Sequence, residues 1–423
     1  MKLAQLSALS AAVLLASTVQ ANSFADDSSL NLELRNFFMD RATENRDGAD
    51  GSDDSSSQWA QAIRFDYSSG YFENIVGLDL SAYYNLKLGA SNIDSLGNDK
   101  TNNPGLLPGE ADGDSKSYGK TAFAVKFNLA DMGTAKYGRF FLDTPLVNNS
   151  DSRSLPSLSE AFYADIAYEG LSAYGVWAVK SNPKTEAGFD EYMTSGDKEP
   201  VKAVGASYDF GQGLGLSADY ATQANFANKY LVEATFSQDL DQATLGLAAQ
   251  YAKLSLIGDK KDDASDDTSQ AAWGLKASAG MGQASFGVAY TKVESTTVGS
   301  FNPAWGMVGD ADDDSGYFGY NSIQYSDFNS NGQSAWGFNA GYDFAEFVQG
   351  LSASAIYVTG KTDPKGSDGV DENELNLKVT YAFPQLDGLS AQLRYAKNTL
   401  ETSEKDQVTN DTRVIVKYNV AIF

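Results

Sequence analysis

The chain has 423 residues, with 56 aspartates and glutamates against 31 lysines and arginines, and a formal net charge of −25 at pH 7. So acidic a balance argues against nucleic acid as a partner, because binding its phosphates needs a surplus of cations. Cysteine and histidine are both absent, which excludes disulfides, thiol chemistry, His-zinc sites and Ser-His-Asp catalysis. We therefore expect a protein that is not an enzyme, with no cofactor and no metal site.

The first segment, residues 1–21, has the features of a cleaved secretory signal. Lys2 supplies a basic start, an apolar stretch follows, and Val19 and Ala21 occupy the positions of a cleavage site. The apolar centre is short and no stop-transfer flank follows, which disfavours an N-terminal anchor helix. No later apolar run approaches the roughly 20 residues of a membrane-spanning helix. Residues 22–423 are predicted to form one domain.

Alternating segments of roughly ten residues recur along residues 30–423, and ten residues is about the length of a tilted membrane-spanning strand. We count eighteen of them, with GLSAYGVWAVK, QASFGVAYTKV and ELNLKVTYAF as examples. In each, aliphatic or aromatic residues alternate with serine, glycine or charged residues. The pattern predicts an all-β protein with eighteen strands.

The connections between these segments alternate in length. The short ones include EG at 169–170, GQG at 211–213, GMG at 280–282, QDLDQ at 238–242 and PQLDG at 384–388. The long ones are acidic and cover residues 42–57, 90–116, 258–270, 295–333 and 362–373. A soluble β-sandwich would mix long and short connections. Their strict alternation predicts a transmembrane antiparallel β-barrel with short periplasmic turns and long extracellular loops.

The C-terminal segment TRVIVKYNVAIF shows which face of such a strand meets lipid. Its apolar positions, Val414, Val416, Tyr418, Val420 and Ile422, share one side of an extended chain, and Arg413 and Lys417 lie on the other. In a closed barrel the apolar side faces lipid and the charged side faces a wet lumen. The final residue, Phe423, is then predicted to lie at the membrane interface.

Cations recur on the predicted lumen side of strands that become neighbours when the barrel closes. They are Arg35 and Arg41 on the first strand, Arg64 on the second, Arg394 on the seventeenth, and Arg413 and Lys417 on the last. One interpretation is a basic track that passes a carboxylate from one guanidinium to the next. The other is that these cations balance nearby carboxylates such as Glu33 and Asp66. The sequence leaves both open.

Two long loops are candidates to fold inward and narrow the pore. Loop 142–157 carries Arg153, and loop 295–333 carries Asp310, Asp312, Asp313, Asp314, Tyr325 and Asp327. An arginine facing carboxylates across a constriction would select solutes by charge and size. For the aspartate run we favour the alternative that it lies at solvated loop tips or binds divalent cations at the lipopolysaccharide surface.

Three stretches resemble the OprD family of outer-membrane porins: DDSSLNLELRNFFMDR, SIQYSDFNSNGQSAW and TRVIVKYNVAIF. The resemblance implies an eighteen-stranded monomeric unit, an eyelet made by the third and seventh extracellular loops, and a basic ladder leading to it. Arg35, Arg41, Arg394 and Arg413 match ladder positions of the family, and Arg153 matches the arginine of its third loop.

The ladder is thinner here than in many members of that family. Gln392 and Thr380 stand where many members have an arginine and a lysine, and Arg64 and Lys417 rest on the alternation alone. We expect a porin of the bacterial outer membrane that passes small hydrophilic nutrients such as amino acids, small peptides or organic acids. The alternatives are a chitoporin-like oligosaccharide channel, which would need a line of lumen aromatics, and a non-conducting structural barrel. Expected partners are outer-membrane lipid, lipopolysaccharide and small solutes, and the expected assembly is a monomer or loose homotrimer.

Overall fold

The fold was analysed in a computed structural model that describes residues 23–45, 54–94, 105–108, 115–194, 196–264, 267–297, 319–365, 368–402 and 406–423. The predicted signal segment lies outside these residues, as do Asp310, Asp312, Asp313 and Asp314. Two short helices, Ser23–Asp26 and Gly258–Asp262, are present. No helix in the described ranges is long and apolar enough to cross a membrane.

The described chain is built from antiparallel strands. In chain order they are β1 Ser29–Asn45, β2 Asp54–Ser68, β3 Val76–Asp94, β4 Tyr118–Asn128, β5 Gly133–Phe140, β6 Leu158–Tyr168, β7 Leu171–Asn182, β8 Asp190–Glu191, β9 Met193–Thr194, β10 Asp197–Lys198, β11 Val201–Asp209, β12 Leu214–Gln223, β13 Ala227–Leu240, β14 Ala243–Leu256, β15 Ser269–Met281, β16 Ala284–Val293, β17 Ser334–Asp343, β18 Leu351–Lys361, β19 Asp371–Ala382, β20 Leu389–Glu401 and β21 Asp406–Ala421. Strands β8 to β10 are short pieces of one extracellular loop. The other eighteen form the wall of a barrel.

The barrel closes because the first and last strands pair. Strand β1 runs antiparallel to β21 from Asn31 opposite Ala421 to Asn45 opposite Gln407, and its other edge pairs with β2. Closure leaves no strand edge with unpaired backbone groups in the hydrocarbon. The eighteen-stranded antiparallel barrel predicted from the alternation is confirmed.

The short turns keep neighbouring strands in register. In the turn between β6 and β7, Glu169 and Gly170 have φ of 46° and 84°, the conformation that a two-residue hairpin needs. A Cβ at Gly170 would lie 2.9 Å from the carbonyl oxygen of Asp209 on the next hairpin. Glycine therefore satisfies both the backbone angle and the close approach of two turns at the periplasmic rim.

The outer face of the wall is apolar. Side chains such as Trp177, Leu247, Leu275 and Phe338 are exposed there, where they contact lipid in the membrane. Because lipid solvates hydrocarbon but not charge, this face tolerates few polar residues at mid-height.

We predict that Leu247→Arg destabilises the barrel by about 2–4 kcal/mol if position 247 lies at the bilayer midplane. The matched control is Thr235→Arg. Leu247 pairs with Phe236 on the neighbouring strand, and Thr235, the residue before Phe236, is exposed on the lumen side. Reversible urea unfolding in phospholipid vesicles measures both variants. Equal stability of the two would contradict the assignment of faces.

The lumen face is less uniformly polar than the alternation predicts. Phe37 and Met39 lie on the inner side of β1 and are fully buried, together with Ile415 of β21. Leu106 and Leu107, from the second extracellular loop, pack against them. An infolded loop thus shields apolar residues that an open, wet lumen would expose.

Candidate translocation site

The third extracellular loop, residues 141–157 between β5 and β6, folds into the barrel. Its apolar side chains Leu142, Leu146, Val147 and Leu155 are fully buried. Burial of these residues gives the loop its own small core against the inner wall, so that its polar segment is presented to the lumen. The prediction from the sequence that this loop folds inward agrees with its position.

Two arginines of the wall hold this loop through one carboxylate. Arg35 donates to Asp151 through Nη1 at 3.0 Å and Nη2 at 2.9 Å, and Arg64 donates to it through Nη2 at 2.7 Å and Nη1 at 3.2 Å. Arg35 also reaches the carbonyl oxygen of Arg153 at 2.7 Å, and Arg64 Nε donates to that of Ser154 at 3.0 Å. Both guanidiniums are buried. We call this arrangement the third-loop clamp.

Charge within the clamp is balanced by two carboxylates. Glu33 lies 2.8 Å from Arg35 Nε and 3.3 Å from Arg64 Nη1, and Asp151 contacts both arginines. Burial alone would raise the pKa of Asp151, but the hydrogen bonds and charges of Arg64 and Arg35 outweigh burial and hold this pKa below its usual range. Asp151 therefore stays ionised at neutral pH.

The seventh extracellular loop, residues 294–333 between β16 and β17, is held to the inner wall by its backbone. Glu374 accepts hydrogen bonds from the backbone N–H of Tyr325 at 3.0 Å and of Ser326 at 2.9 Å. Asn376, two residues further along β19, accepts the backbone N–H of Gln324 at 2.9 Å. Glu374 is fully buried, so its lone pairs are used to fix the course of this turn.

Arg413 and Asp411 on β21 complete the attachment of the seventh loop. Arg413 Nη2 donates to the carbonyl oxygen of Gln324 at 3.1 Å, while its Nε lies 2.7 Å from Asp411 Oδ1. Asp411 also pairs with Arg41 at 2.8 Å, and the Arg41 guanidinium lies 5.0 Å from the ring centroid of Tyr325. Arg41 and Arg413 thus share one carboxylate and hold the loop that carries Tyr325.

Between the two loops and the wall lies a cavity of about 710 Å³. Its cationic lining residues are Arg153, Lys184, Lys378, Arg394 and Arg413, and Tyr325 and Asp327 of the seventh loop line it as well. Asp327 accepts a hydrogen bond from Ser322 at 2.6 Å. Cations outnumber carboxylates in this lining, so the cavity attracts anionic groups.

The cations predicted from the sequence divide into two groups by their partners. Arg35, Arg41, Arg64 and Arg413 all form ion pairs. Arg394, in contrast, donates to the neutral Gln392 at 2.7 and 3.0 Å. Within the described ranges, neither Arg394 nor Lys417 forms an ion pair with a carboxylate.

Lys378 is a lumen cation that sequence reasoning missed. It lies directly opposite Arg394 in the pairing of β19 with β20 and lines the cavity, where its side chain is exposed. The sequence did contain a signal for this residue, because Glu374, Asn376 and Lys378 lie on the same, polar side of the alternating segment ELNLKVTYAF. Together with Arg394 and Lys417 it forms what we call the open cation group.

The opposite wall of the barrel carries carboxylates. Asp219 on β12 accepts a hydrogen bond from the Tyr174 hydroxyl at 2.8 Å, and Glu233 on β13 accepts one from the Tyr320 hydroxyl at 2.7 Å. Tyr320 belongs to the seventh loop, whose residue Gln324 is bound to β21. The loop therefore spans the lumen from the basic side to the acidic side.

A closed barrel narrowed by two infolded loops, with a charged cavity at the narrowing, defines the class of outer-membrane channels called porins. A model of the outer membrane porins of the OprD family matches residues 22–422, and the chain belongs to that family. It therefore lies in the bacterial outer membrane, which it crosses with its strands. Family and fold are those of substrate-specific channels.

Individual proteins are similar to this chain in sequence or in structure. Porin D of Pseudomonas aeruginosa is 28% identical over 95% of this chain and 93% of its own length. The porin-like protein GalP of Pseudomonas putida is 29% identical over 55% of this chain and 56% of its own length. The crystal structure of Pseudomonas aeruginosa OccK9 (OpdG) superposes with a TM-score of 0.80 at 22% identity, covering 95% of this chain and all of that one. That of OpdK with vanillate gives a TM-score of 0.75 at 22% identity, covering 94% and 99%.

Proposed function

We propose that this porin passes small solutes that carry a carboxylate, with amino acids, small peptides and organic acids as the substrate class. The observation that carries the proposal is Arg394, which among the residues that the structure describes has only a neutral partner and lines a cavity next to Lys378. An arginine without an ionic partner offers its fork of N–H groups to a carboxylate at little cost, because no existing ion pair must break.

The acidic side of the lumen supports zwitterionic solutes within this class. Asp219 and Glu233 lie on the ninth and tenth strands of the wall, diametrically opposite the first and last strands that carry the basic groups. A solute with a carboxylate and an ammonium group would align across such a field. The solute would be held by several weak contacts and still leave, as permeation requires.

An oligosaccharide substrate has less support. Sugars need a line of exposed aromatic faces in the lumen. Tyr325 is exposed at the cavity, but Tyr83 and Tyr118 on the inner face of β3 and β4 are buried. Their hydroxyls are bound to Asp66 and to the carbonyl oxygen of Lys184. We also propose that each chain acts as an independent pore, as a monomer or in a loose homotrimer, because both infolded loops and the charged lining belong to the same chain.

The test is single-channel recording in planar bilayers with a panel of solutes. We expect glutamate, alanine and succinate to interrupt the ion current at lower concentrations than an uncharged trisaccharide. Liposome swelling with the same solutes should rank them in the same order. A protein that conducts no ions would be a structural barrel, and stronger interruption by the trisaccharide would favour the sugar channel.

A further inference from the structure

Three lysines project from the outer face of the barrel at the level of exposed aromatic residues near its extracellular end. Register places each lysine directly across from an aromatic: Lys202 from Trp177, Lys253 from Tyr230, and Lys292 from Trp273. Directly paired residues share a face of the sheet, and all three aromatics are exposed. The lysines therefore lie outside the barrel, beside the extracellular aromatic girdle.

These three outward lysines have few hydrogen-bond or ionic partners within the described part of the protein. Lys292 donates to the carbonyl oxygen of Gly332 at 3.3 Å. In the part of the chain that the structure describes, Lys202 and Lys253 form no ion pair. The carboxylates Asp259, Asp262 and Asp263 lie in the loop beyond the end of β14. Lysine at an interface extends its ammonium toward water while its stem stays in the apolar layer, so the charges are available to a headgroup.

Apolar hollows in the outer wall accompany these lysines. One of about 640 Å³ lies where Ala234, Ala249 and Ala277 leave space between Phe236, Leu247 and Trp273. Tyr251 and Lys253 follow Ala249 on the same face of β14. A second hollow of about 460 Å³ includes Lys202, Trp177 and Gly175 in its lining. Each hollow is wide enough for hydrocarbon and has a cation at or above its extracellular side.

The opposite rim of the barrel carries the opposite charge. The short periplasmic turns, all of them within the described ranges, contain no lysine or arginine. Their carboxylates are Glu73, Asp131, Glu169, Asp241, Glu346 and Asp387. The extracellular loops are acidic as well, so the outward lysines of the wall, and not the rim as a whole, are the cations that match headgroups of the outer leaflet.

We propose that the outer wall from β11 to β16 binds a phosphorylated, multiply acylated lipid of the outer leaflet. The phosphates contact Lys202, Lys253 and Lys292, and acyl chains occupy the hollows over the alanines and Gly175. Lysine binds phosphate as a point charge and tolerates a range of headgroup positions. The commitment to a lipid rather than a free anion follows from the hollows, which an inorganic ion would leave empty. This inference is independent of the solute that the lumen carries.

The test compares purified folded protein with a triple variant, Lys202→Gln, Lys253→Gln and Lys292→Gln. Binding of bisphosphorylated lipid A in detergent is measured by native mass spectrometry. Because each lysine near an anionic surface strengthens binding about fivefold, the triple change should weaken lipid A binding roughly 100-fold. The charge-matched control, Lys198→Gln with Lys361→Gln and Lys397→Gln, removes three outward or loop cations away from the hollows and should change binding less than about threefold.

A second variant tests the hollows without touching charge. Ala249→Phe fills the larger hollow and should also weaken lipid A binding, while heat-dependent mobility on gels verifies that every variant is folded. Dephosphorylated lipid A should bind weakly to all proteins. Equal loss in the two triple variants, or equal binding of phosphorylated and dephosphorylated lipid, would overturn the proposal. Loss of wild-type binding on addition of a metal chelator would instead assign it to divalent cations at the loop carboxylates.

Discussion

Asp151→Asn is expected to give a channel with higher and noisier single-channel conductance than the wild type, because it opens the third-loop clamp. The change removes the negative charge that Arg35 and Arg64 share and leaves two buried guanidiniums with Glu33 alone. Removing one partner of a fully buried ion pair costs about 3–5 kcal/mol, and we expect a smaller cost here because the Asp151 side chain is 38% exposed. The eighteen strands do not depend on this contact, so the cost falls on the position of the loop rather than on the barrel.

The control for this experiment is Asp131→Asn, an equivalent change at an exposed periplasmic turn. Trypsin cleavage after Arg153 in the folded barrel reports whether the loop has left the wall. We expect faster cleavage and larger conductance in Asp151→Asn, and neither in Asp131→Asn. If Asp151→Asn conducts and resists trypsin as the wild type does, the clamp does not set the position of the third loop.

The pH dependence of the same contact follows from the lowered pKa of Asp151. A carboxylate whose pKa is lower in the folded state contributes stability that is complete above its ordinary pKa of about 3.9 and is lost as pH falls through the folded value. Current noise from the third loop should therefore be constant from about pH 5 to 8 and increase only in more acidic solution.

The second large effect is expected from Arg394→Gln. This change removes a lumen arginine that forms no ion pair within the described part of the chain, so the barrel and both loops should stay in place while anion preference falls. We expect a reversal potential shifted toward cations in a salt gradient, and uptake of a carboxylate-bearing amino acid reduced about tenfold, which corresponds to about 1.4 kcal/mol. Salt at 1 M should shrink the difference, because screening then acts over roughly 3 Å.

Arg413→Gln serves as the contrasting variant. Arg413 bonds the backbone of Gln324 and the carboxylate of Asp411, so its loss should also loosen the seventh loop and broaden the conductance distribution. Lys397→Gln, on the outer face of the neighbouring segment of β20, controls for net charge. An unchanged reversal potential in Arg394→Gln would show that this arginine has no part in selecting ions.

Alternation along each segment was enough to predict the barrel, because side-chain direction in a strand depends only on parity. It also placed Arg64 and Lys417 on the lumen side without help from any family motif. The alternation could not predict which residues these side chains contact. Asp151, which binds Arg35, is 116 residues away along the chain, and a loop has no periodicity from which such a contact can be predicted.

The same limit explains the other differences. Phe37 and Met39 face inward by parity, and apolar residues are tolerated there because the second loop covers them, a tertiary contact that no local pattern contains. Glu374 was not singled out, although its parity was readable, because its role depends on where the backbone of Tyr325 comes to lie. The assignment of Arg35, Arg41 and Arg413 to a translocation track stays a prediction, and their ion pairs are equally consistent with the charge-balancing alternative raised from the sequence.

The two loops that narrow the lumen are attached in part through main-chain atoms, with the Asp151 carboxylate as a side-chain anchor of the third loop. The main-chain contacts use the carbonyl oxygens of Arg153, Ser154 and Gln324 and the N–H groups of Tyr325 and Ser326. Such contacts are insensitive to which side chains the loops carry. Residues such as Asn148, Ser152 and Ile323, which line the cavity, can therefore be exchanged during evolution without detaching the loop that presents them. A scaffold of this kind can acquire new substrates by single substitutions, because recognition and anchoring are encoded by different atoms.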